Sequence, residues 1–316
     1  MPLFNKAVLT VISKIDEPFP GVKRFVLCDP DDWGLPPCLP GAHIDLYLRK
    51  DLVRTYSLCN IASSTTTYEL AVKLEKSGRG GSAFIHDHLK EGMSLEVSLP
   101  RGGFRPSDTS TNIFIAGGIG ITPFISAIRA LEQAGQSNYE LRWASAGAPS
   151  LAAMLGSSPI SGRVYQYNTV TDRRPNLADI LSDASSDAHV YCCGPTGMLD
   201  EFERLTSAWP SERVHIERFV PPAVIPSPDA KPFKLILARS RKEVDVGADG
   251  NLVVALRALD ADVAISCGGG ICGACRTKWI EGPPIHRDRV LTPAERAHEV
   301  IVCVAQCGGP RLVLDV

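Results

Sequence analysis

Short apolar runs broken by turn residues fill the first third of the chain. KAVLTVISKI, VKRFVLCD, HIDLYL, RTYSLCNI, YELAVKLEK and SLEVSLP each suit a β-strand, and Pro20-Gly21, Pro40-Gly41 and Gly102-Gly103 punctuate them. This spacing predicts a small antiparallel barrel over residues 1–106. One helix, AFIHDHLKEG, is expected within it, starting near Ser82. The pattern changes near residue 110. Asn112–Ala116 (NIFIA) reads as a short buried strand, followed by a glycine-rich turn and a helix over FISAIRALEQAG. A strand (YELRWASA), a short helix (LAAMLGSS), a strand (RVYQYNT), a polar stretch, a strand (HVYCCG) and a helix (MLDEFERLTSAW) come next, and VHIERF closes the segment. Strands alternating with helices predict a parallel, doubly wound α/β sheet over 107–220.

PPAVIPSPDA, residues 221–230, holds four prolines and no apolar periodicity, so it reads as a semi-rigid linker. KPFKLILARS opens a third unit, 231–316, which returns to β patterning and carries one helix signal, LVVALRALD. Three units also suit the length, since 316 residues exceed one ordinary core.

Composition narrows the classes. With 44% hydrophobic and 22% charged residues and a net charge of −2, the chain reads as globular, with no global field for nucleic acid or an acidic membrane. No apolar run is long enough to span a bilayer, and MPLFNKAVLTVISK lacks the parts of a signal peptide, so the cytoplasm is the expected location. Five of the ten cysteines lie after residue 266. In a reducing compartment such clustering points to metal or redox chemistry rather than disulfides.

Cys267, Cys272 and Cys275 stand in a C-x4-C-x2-C loop, and Cys303 follows 28 positions after Cys275. That is the plant-type [2Fe–2S] spacing. Each iron needs two thiolates, and Gly268, Gly269, Gly270 and Gly273 let one loop curl around the cluster with its N–H groups turned toward sulfur. The rival is structural zinc, which usually takes two C-x2-C knuckles where this loop has one. Cys307 competes with Cys303 for the fourth position. Cys303 is favoured because VIVCVAQ reads as an apolar strand that would hold a thiolate away from water.

Gly117-Gly118-Ile119-Gly120-Ile121-Thr122-Pro123 lies between an expected strand and an expected helix. The context suits a dinucleotide pyrophosphate, or a plain strand-to-helix turn, since Pro123 replaces the last glycine of G-x-G-x-x-G. A second strand end, Cys192-Cys193-Gly194-Pro195, opens another helix, and ligands of open α/β sheets bind at such ends. In the barrel region, Arg54-Thr55-Tyr56-Ser57 offers a charge and an aromatic ring on one strand face. Gly78-Arg79-Gly80-Gly81-Ser82 resembles an anion cradle, with Ser82 expected as the helix N-cap.

In this order, R-x-Y-S, G-R-G-G-S, G-G-I-G-I-T-P, C-G-P and the cysteine loop, the chain resembles the phthalate dioxygenase reductase and vanillate O-demethylase reductase family over nearly its whole length. Pro284-Ile285-His286-Arg287-Asp288 and the ending Arg311–Asp315 add to the match. The resemblance implies an FMN-binding antiparallel β-barrel, an NAD-binding α/β domain and an α+β, β-grasp-like ferredoxin domain. It implies that Arg54, Thr55, Tyr56 and Ser57, with Gly80, Gly81 and Ser82, bind the flavin, Ser57 lying near its N5. Gly118, Gly120 and Thr122 would line the NAD pyrophosphate and ribose, and Cys193, Gly194 and Pro195 would lie near the nicotinamide. Ser57 and Cys193 are the implied catalytic pair, and Phe219 would cover the other flavin face.

Such proteins use FMN rather than FAD, and the short stretch between GRGGS and LPRGGF leaves little room for an adenine loop. NADH is expected because Asp172 follows the strand RVYQYNT, where an acid can bind the ribose 2′-hydroxyl, although Arg173 and Arg174 next door suit a 2′-phosphate. His286-Arg287-Asp288 looks like a kinase catalytic loop but lacks the following Asn, and is read as structural.

The expected function is an electron-transfer reductase: NADH to FMN, to the [2Fe–2S] cluster, to a terminal oxygenase of Rieske type. The reductase is expected to be monomeric, with neither nucleic acid nor membrane as partner. The alternatives are a haem or diiron oxygenase or free flavin as acceptor, or a redox-sensing protein without turnover.

Overall fold

The computed structural model describes residues 7–49, 52–60, 66–147, 149–155, 160–172, 174–220 and 227–316. The chain divides into two compact units, Lys6–Phe219 and Val220–Val316. Residues 221–226, most of the expected linker, and Arg173 lie outside the described residues. Among the described residues, no helix is long and apolar enough to cross a membrane.

The first unit opens with β1 (Ala7–Phe19), β2 (Val22–Cys28), β3 (His43–Arg49), β4 (Leu52–Ser57), β5 (Thr67–Lys73), helix α1 (Gly81–His88) and β6 (Ser94–Ser98). The strands pair antiparallel in the order β4-β3-β6-β1-β2-β5, and a bridge from Leu58 to Leu70 joins the two edges. The sheet therefore closes into the barrel that the strand spacing predicted. Alternation does the work: Tyr68, Leu70 and Val72 of β5 point into one core with Phe25, Leu27, Ile44 and Leu46. Two register shifts bend β1, so its first half pairs with β6 and its remainder with β2.

The chain then forms β7 (Asn112–Gly117), α2 (Thr122–Gln133), β8 (Tyr139–Ser145), α3 (Leu151–Leu155), β9 (Arg163–Asn168), α4 (Leu177–Ser182), β10 (His189–Cys193), α5 (Thr196–Leu205) and β11 (Val214–Glu217). All pairings are parallel, in the order β11-β10-β7-β8-β9. β7 is buried on both faces. Phe114 packs with α2 on one side, and Ile113 and Ile115 pack with α4 and α5 on the other. Helix α4 lies inside what the sequence presents as a polar stretch; Leu177, Ile180 and Leu181 make its apolar face, and Asn176 caps it. The α2-side core also takes in Val22, Cys59 and Ala71 of the barrel, so apolar packing joins the two sheets of this unit.

The second unit holds β12 (Phe233–Leu237), β13 (Lys242–Val246), α6 (Leu252–Ala258), β14 (Arg276–Glu281), β15 (Pro284–Ile285), α7 (Pro293–Arg296), β16 (Glu299–Ile301), β17 (Gln306–Cys307) and β18 (Arg311–Leu314). A mixed five-stranded sheet runs β13-β12-β18-β14-β16, with β12 and β18 parallel, and α6 packs Leu252, Val253 and Leu256 onto its core. This is the expected α+β, β-grasp-like arrangement. Thr292 and Glu295 form a reciprocal capping box that starts the short α7.

Candidate electron-transfer site

The loop between α6 and β14 carries Cys267, Cys272 and Cys275, all buried, as is Cys303. The Cys267 sulfur interacts with those of Cys272 and Cys303, and the Cys275 sulfur with that of Cys303. This mutual contact holds the Cys267 and Cys275 thiols below the ordinary range and, with burial, pushes Cys272 and Cys303 above it. Four thiols that perturb one another in this way form one donor set. Gly269 N donates to Cys267 Sγ at 3.4 Å and Gly270 N to Cys303 Sγ at 3.3 Å. Backbone donors aimed at soft thiolate ligands fit an iron–sulfur cluster. Among the described residues no three His, Cys, Asp or Glu side chains close on a single ion position.

Cys303 does not lie in a strand, contrary to the reading of VIVCVAQ. β16 ends at Ile301, whose carbonyl accepts from Val304 N and Ala305 N at 3.2 Å each, and this turn carries the Cys303 thiol. Cys307 lies in β17, where its sulfur accepts from Gly309 N and meets the carbonyls of Gly309 and Arg311.

In the first unit, Arg54 lies beside the start of α1. Its Nη2 donates to the Arg79 carbonyl at 2.5 Å, and a Cβ on Gly81 would sit 2.5 Å from Arg54 Cγ. Burial and the Arg79 charge hold the guanidinium below its ordinary range. The N-cap of α1 is Gly80, at φ 78°, rather than Ser82. Only a residue tolerant of the left-handed region starts this helix, and Ser82 falls within its first turn, its hydroxyl accepting from Glu75 N at 3.0 Å. The first-turn N–H groups of α1, beside the Arg54 guanidinium, suit a phosphate.

Tyr56 packs against the barrel core, and burial pushes its hydroxyl up to about 12 against the pull of the Arg54 charge. Thr55 faces the other way and donates to Asp45 Oδ1 at 2.7 Å, which also accepts from Arg101 Nη2 at 2.7 Å. Ser57 ends β4, buried opposite His43.

Strand order reverses between β7 and β10, the position where open α/β sheets bind ligands. The two glycine turns meet there. A Cβ on Gly120 would lie 2.3 Å from the Cys193 carbonyl oxygen, and one on Gly117 would lie 2.5 Å from Pro195 Cδ. These glycines are thus needed for turn-on-turn packing whether or not a ligand is bound. Gly118 is open on its Cβ side, its carbonyl held by Trp143 Nε1 at 2.9 Å. Thr122 donates to the Ile119 carbonyl at 3.1 Å, at the end of a 3-10 turn that the sequence does not announce.

Cys193 is fully buried, and burial, followed by the neighbouring Glu217, pushes its thiol well above the ordinary range. Among the described residues no hydrogen bond joins the side chains of Cys193 and Ser57. Asp172 stands beyond β9, two strands from β7, and accepts from Asn168 N at 2.9 Å. Phe219 is partly exposed just beyond β11.

Glu217 was not a candidate from the sequence. It ends β11 opposite Cys193, and burial pushes its carboxyl up to about 7. An acid at the carboxyl end of a strand next to the switch point is the signal that could have found it.

Residues 235–307 match the family model described as 2Fe-2S iron-sulfur cluster binding domain. The phthalate dioxygenase reductase of Burkholderia cepacia is 35% identical over 297 residues, covering 92% of each chain. The solved structure of a phthalate dioxygenase reductase, described as modular for electron transfer from pyridine nucleotides to [2Fe–2S], superposes with a TM-score of 0.70 at 32% identity, covering 98% of both chains. An intact type IV self-sufficient cytochrome P450 monooxygenase gives a TM-score of 0.83 at 32% identity; the match covers 98% of this chain but only 41% of that longer one.

Proposed function

The chain belongs to the phthalate dioxygenase reductase family, and from that premise we propose how its residues divide the work of an NADH-dependent flavin iron–sulfur reductase serving an oxygenase. When bound, NADH supplies electrons in pairs, FMN accepts pairs and releases single electrons, and the [2Fe–2S] cluster carries single electrons outward. The protein binds and orients these groups.

Arg54 and the α1 N-terminus, with Gly80, Gly81 and Ser82, neutralise and orient the flavin phosphate. Tyr56 packs on the ring system. Ser57, the end of the same strand, lies by its reactive edge, while Thr55 steadies the strand from behind through Asp45. Gly118, Gly120 and Thr122 receive the pyrophosphate, and Asp172 the ribose. Cys193, Gly194 and Pro195 place the nicotinamide, and Glu217 and Phe219 close the site, excluding water. Cys267, Cys272, Cys275 and Cys303 hold the cluster. We divide these tasks among residues 1–106, 107–220 and 231–316, each of which holds its own main sheet.

The observation that carries the reading is the four-thiol set in a chain that also has an Arg54–α1 phosphate cradle and glycine turns at the switch point. NADH-dependent cytochrome c reduction by the holoprotein tests it. Turnover that disappears in C272S while NADH–flavin exchange persists supports it, and no turnover at full cofactor loading refutes it.

For the acceptor we infer a Rieske-type oxygenase, following the dioxygenase reductases the chain resembles. A second reading, a haem oxygenase, is favoured by the likeness to the P450 monooxygenase. Coupling to a purified Rieske oxygenase or to a P450 separates the two. We also infer a monomer working in the reducing cytoplasm; its cysteines are all unbridged.

A further inference from the structure

The segment His286-Arg287-Asp288 plays no part in the roles above, yet it lies in the loop between β15 and α7 that packs on the cysteine loop. Asp288 is 5% exposed. Its Oδ2 accepts from Val290 N at 3.1 Å and Leu291 N at 2.8 Å, folding residues 288–291 into a tight turn. Arg296 Nη2 ties the same residue down through the Asp288 carbonyl at 2.9 Å. Leu291 is buried in the core that also contains Cys275 and Cys303.

The turn presents one backbone donor to the cysteine loop: Arg289 N donates to the Gly270 carbonyl at 3.0 Å. Gly270 N in turn donates to Cys303 Sγ at 3.3 Å. Both polar groups of Gly270 are thereby fixed. The packing leaves it no freedom, since a Cβ there would lie 2.8 Å from Val304 Cγ2 and 3.2 Å from Asp288 Cα, and its φ is 72°. Val290 braces the loop again at Gly273, where a Cβ would meet Val290 Cγ1 at 3.3 Å.

We propose that Asp288 is a positioning residue for the cluster. By folding its own turn, it aims the Arg289 N–H at Gly270 and so holds the Gly270 N–H on the Cys303 sulfur. A hydrogen bond to a ligand sulfur stabilises the reduced, more negative cluster, so this chain of contacts raises its reduction potential. The proposal rests on Cys303 being a ligand. Failure of that assignment looks different, because C303S would then keep its cluster, whereas the variants below all keep theirs and differ only in how it behaves.

The test uses the full-length holoprotein, read by redox titration of the cluster and by electron paramagnetic resonance of its reduced form. D288A loses the turn. R289P deletes the N–H donor along with the side chain and fixes φ, while R289A loses the side chain and keeps the donor. D288N keeps an acceptor for Val290 N and Leu291 N. In D288A and R289P we expect the reduced-to-oxidised ratio at a fixed ambient potential to fall about three- to tenfold, a shift on the order of 30–60 mV for one electron. R289A should match the parent, and D288N, which keeps the turn, should lie no lower than it. If D288A does not fold, the R289P and R289A pair decides alone. An unchanged potential in R289P, or equal falls in R289P and R289A, overturns the proposal.

Discussion

Glu217→Gln isolates the cost of a half-buried acid. Glu217 ends β11 opposite Cys193, and burial moves its carboxyl from 4.5 to about 7. The folded value lies above the unfolded one, so between them the native state binds the extra proton. This contribution to stability is complete below about 4.5 and is lost as pH rises through about 7. At 1.36 kcal/mol per pH unit the displacement corresponds to roughly 3 kcal/mol, and the residue's remaining solvent contact reduces this to about 1–3 kcal/mol. Glutamine has no proton to lose. E217Q should therefore be more stable than the parent at pH 8.5, and by less than half that margin at pH 5.5. For a unit of this size the gain at pH 8.5 is roughly 3–9 °C in Tm. Thermal unfolding followed by flavin fluorescence at both pH values measures it. A difference between E217Q and parent that is the same at pH 5.5 and 8.5 would refute the buried-acid account.

C303S should lose the [2Fe–2S] absorption, and C307S should retain it, because Cys307 sulfur is engaged with Gly309 and Arg311; iron content per chain checks both. G120A drives a methyl group into the Cys193 carbonyl, 2.3 Å away, and should raise the KM for NADH about tenfold while flavin content stays at parent level. R54A should weaken FMN retention at least about tenfold, measured by equilibrium dialysis, through loss of a charge-assisted phosphate contact.

The elements that the sequence made readable are those where burial imposes a period. The barrel strands alternate because one face of each is buried, as Tyr68, Leu70 and Val72 illustrate. The cysteine loop was legible because ligand chemistry fixes its spacing. Helix α4 was not, since its three apolar contacts sit among polar residues over six positions. The Thr292–Glu295 capping box was present to be read, but it opens a helix of four residues with no apolar period. The apolar run around Cys303 hid a turn, because continuous burial looks the same in a strand and in a turn that lines a core. Ser82 has the chemistry of an N-cap, but the backbone placed the cap at Gly80, where φ is positive. Glu217 was missed because an acid beside an arginine reads as surface. Only the fold shows it enclosed at a strand end.

Anaerobic stopped-flow mixing of the holoprotein with NADH, watching flavin and cluster absorption together and with no acceptor present, tests the central claim most directly. Both chromophores should bleach on the timescale of turnover, and in C272S the flavin alone should do so. A cluster that stays oxidised while NADH bleaches the flavin completely would contradict the account.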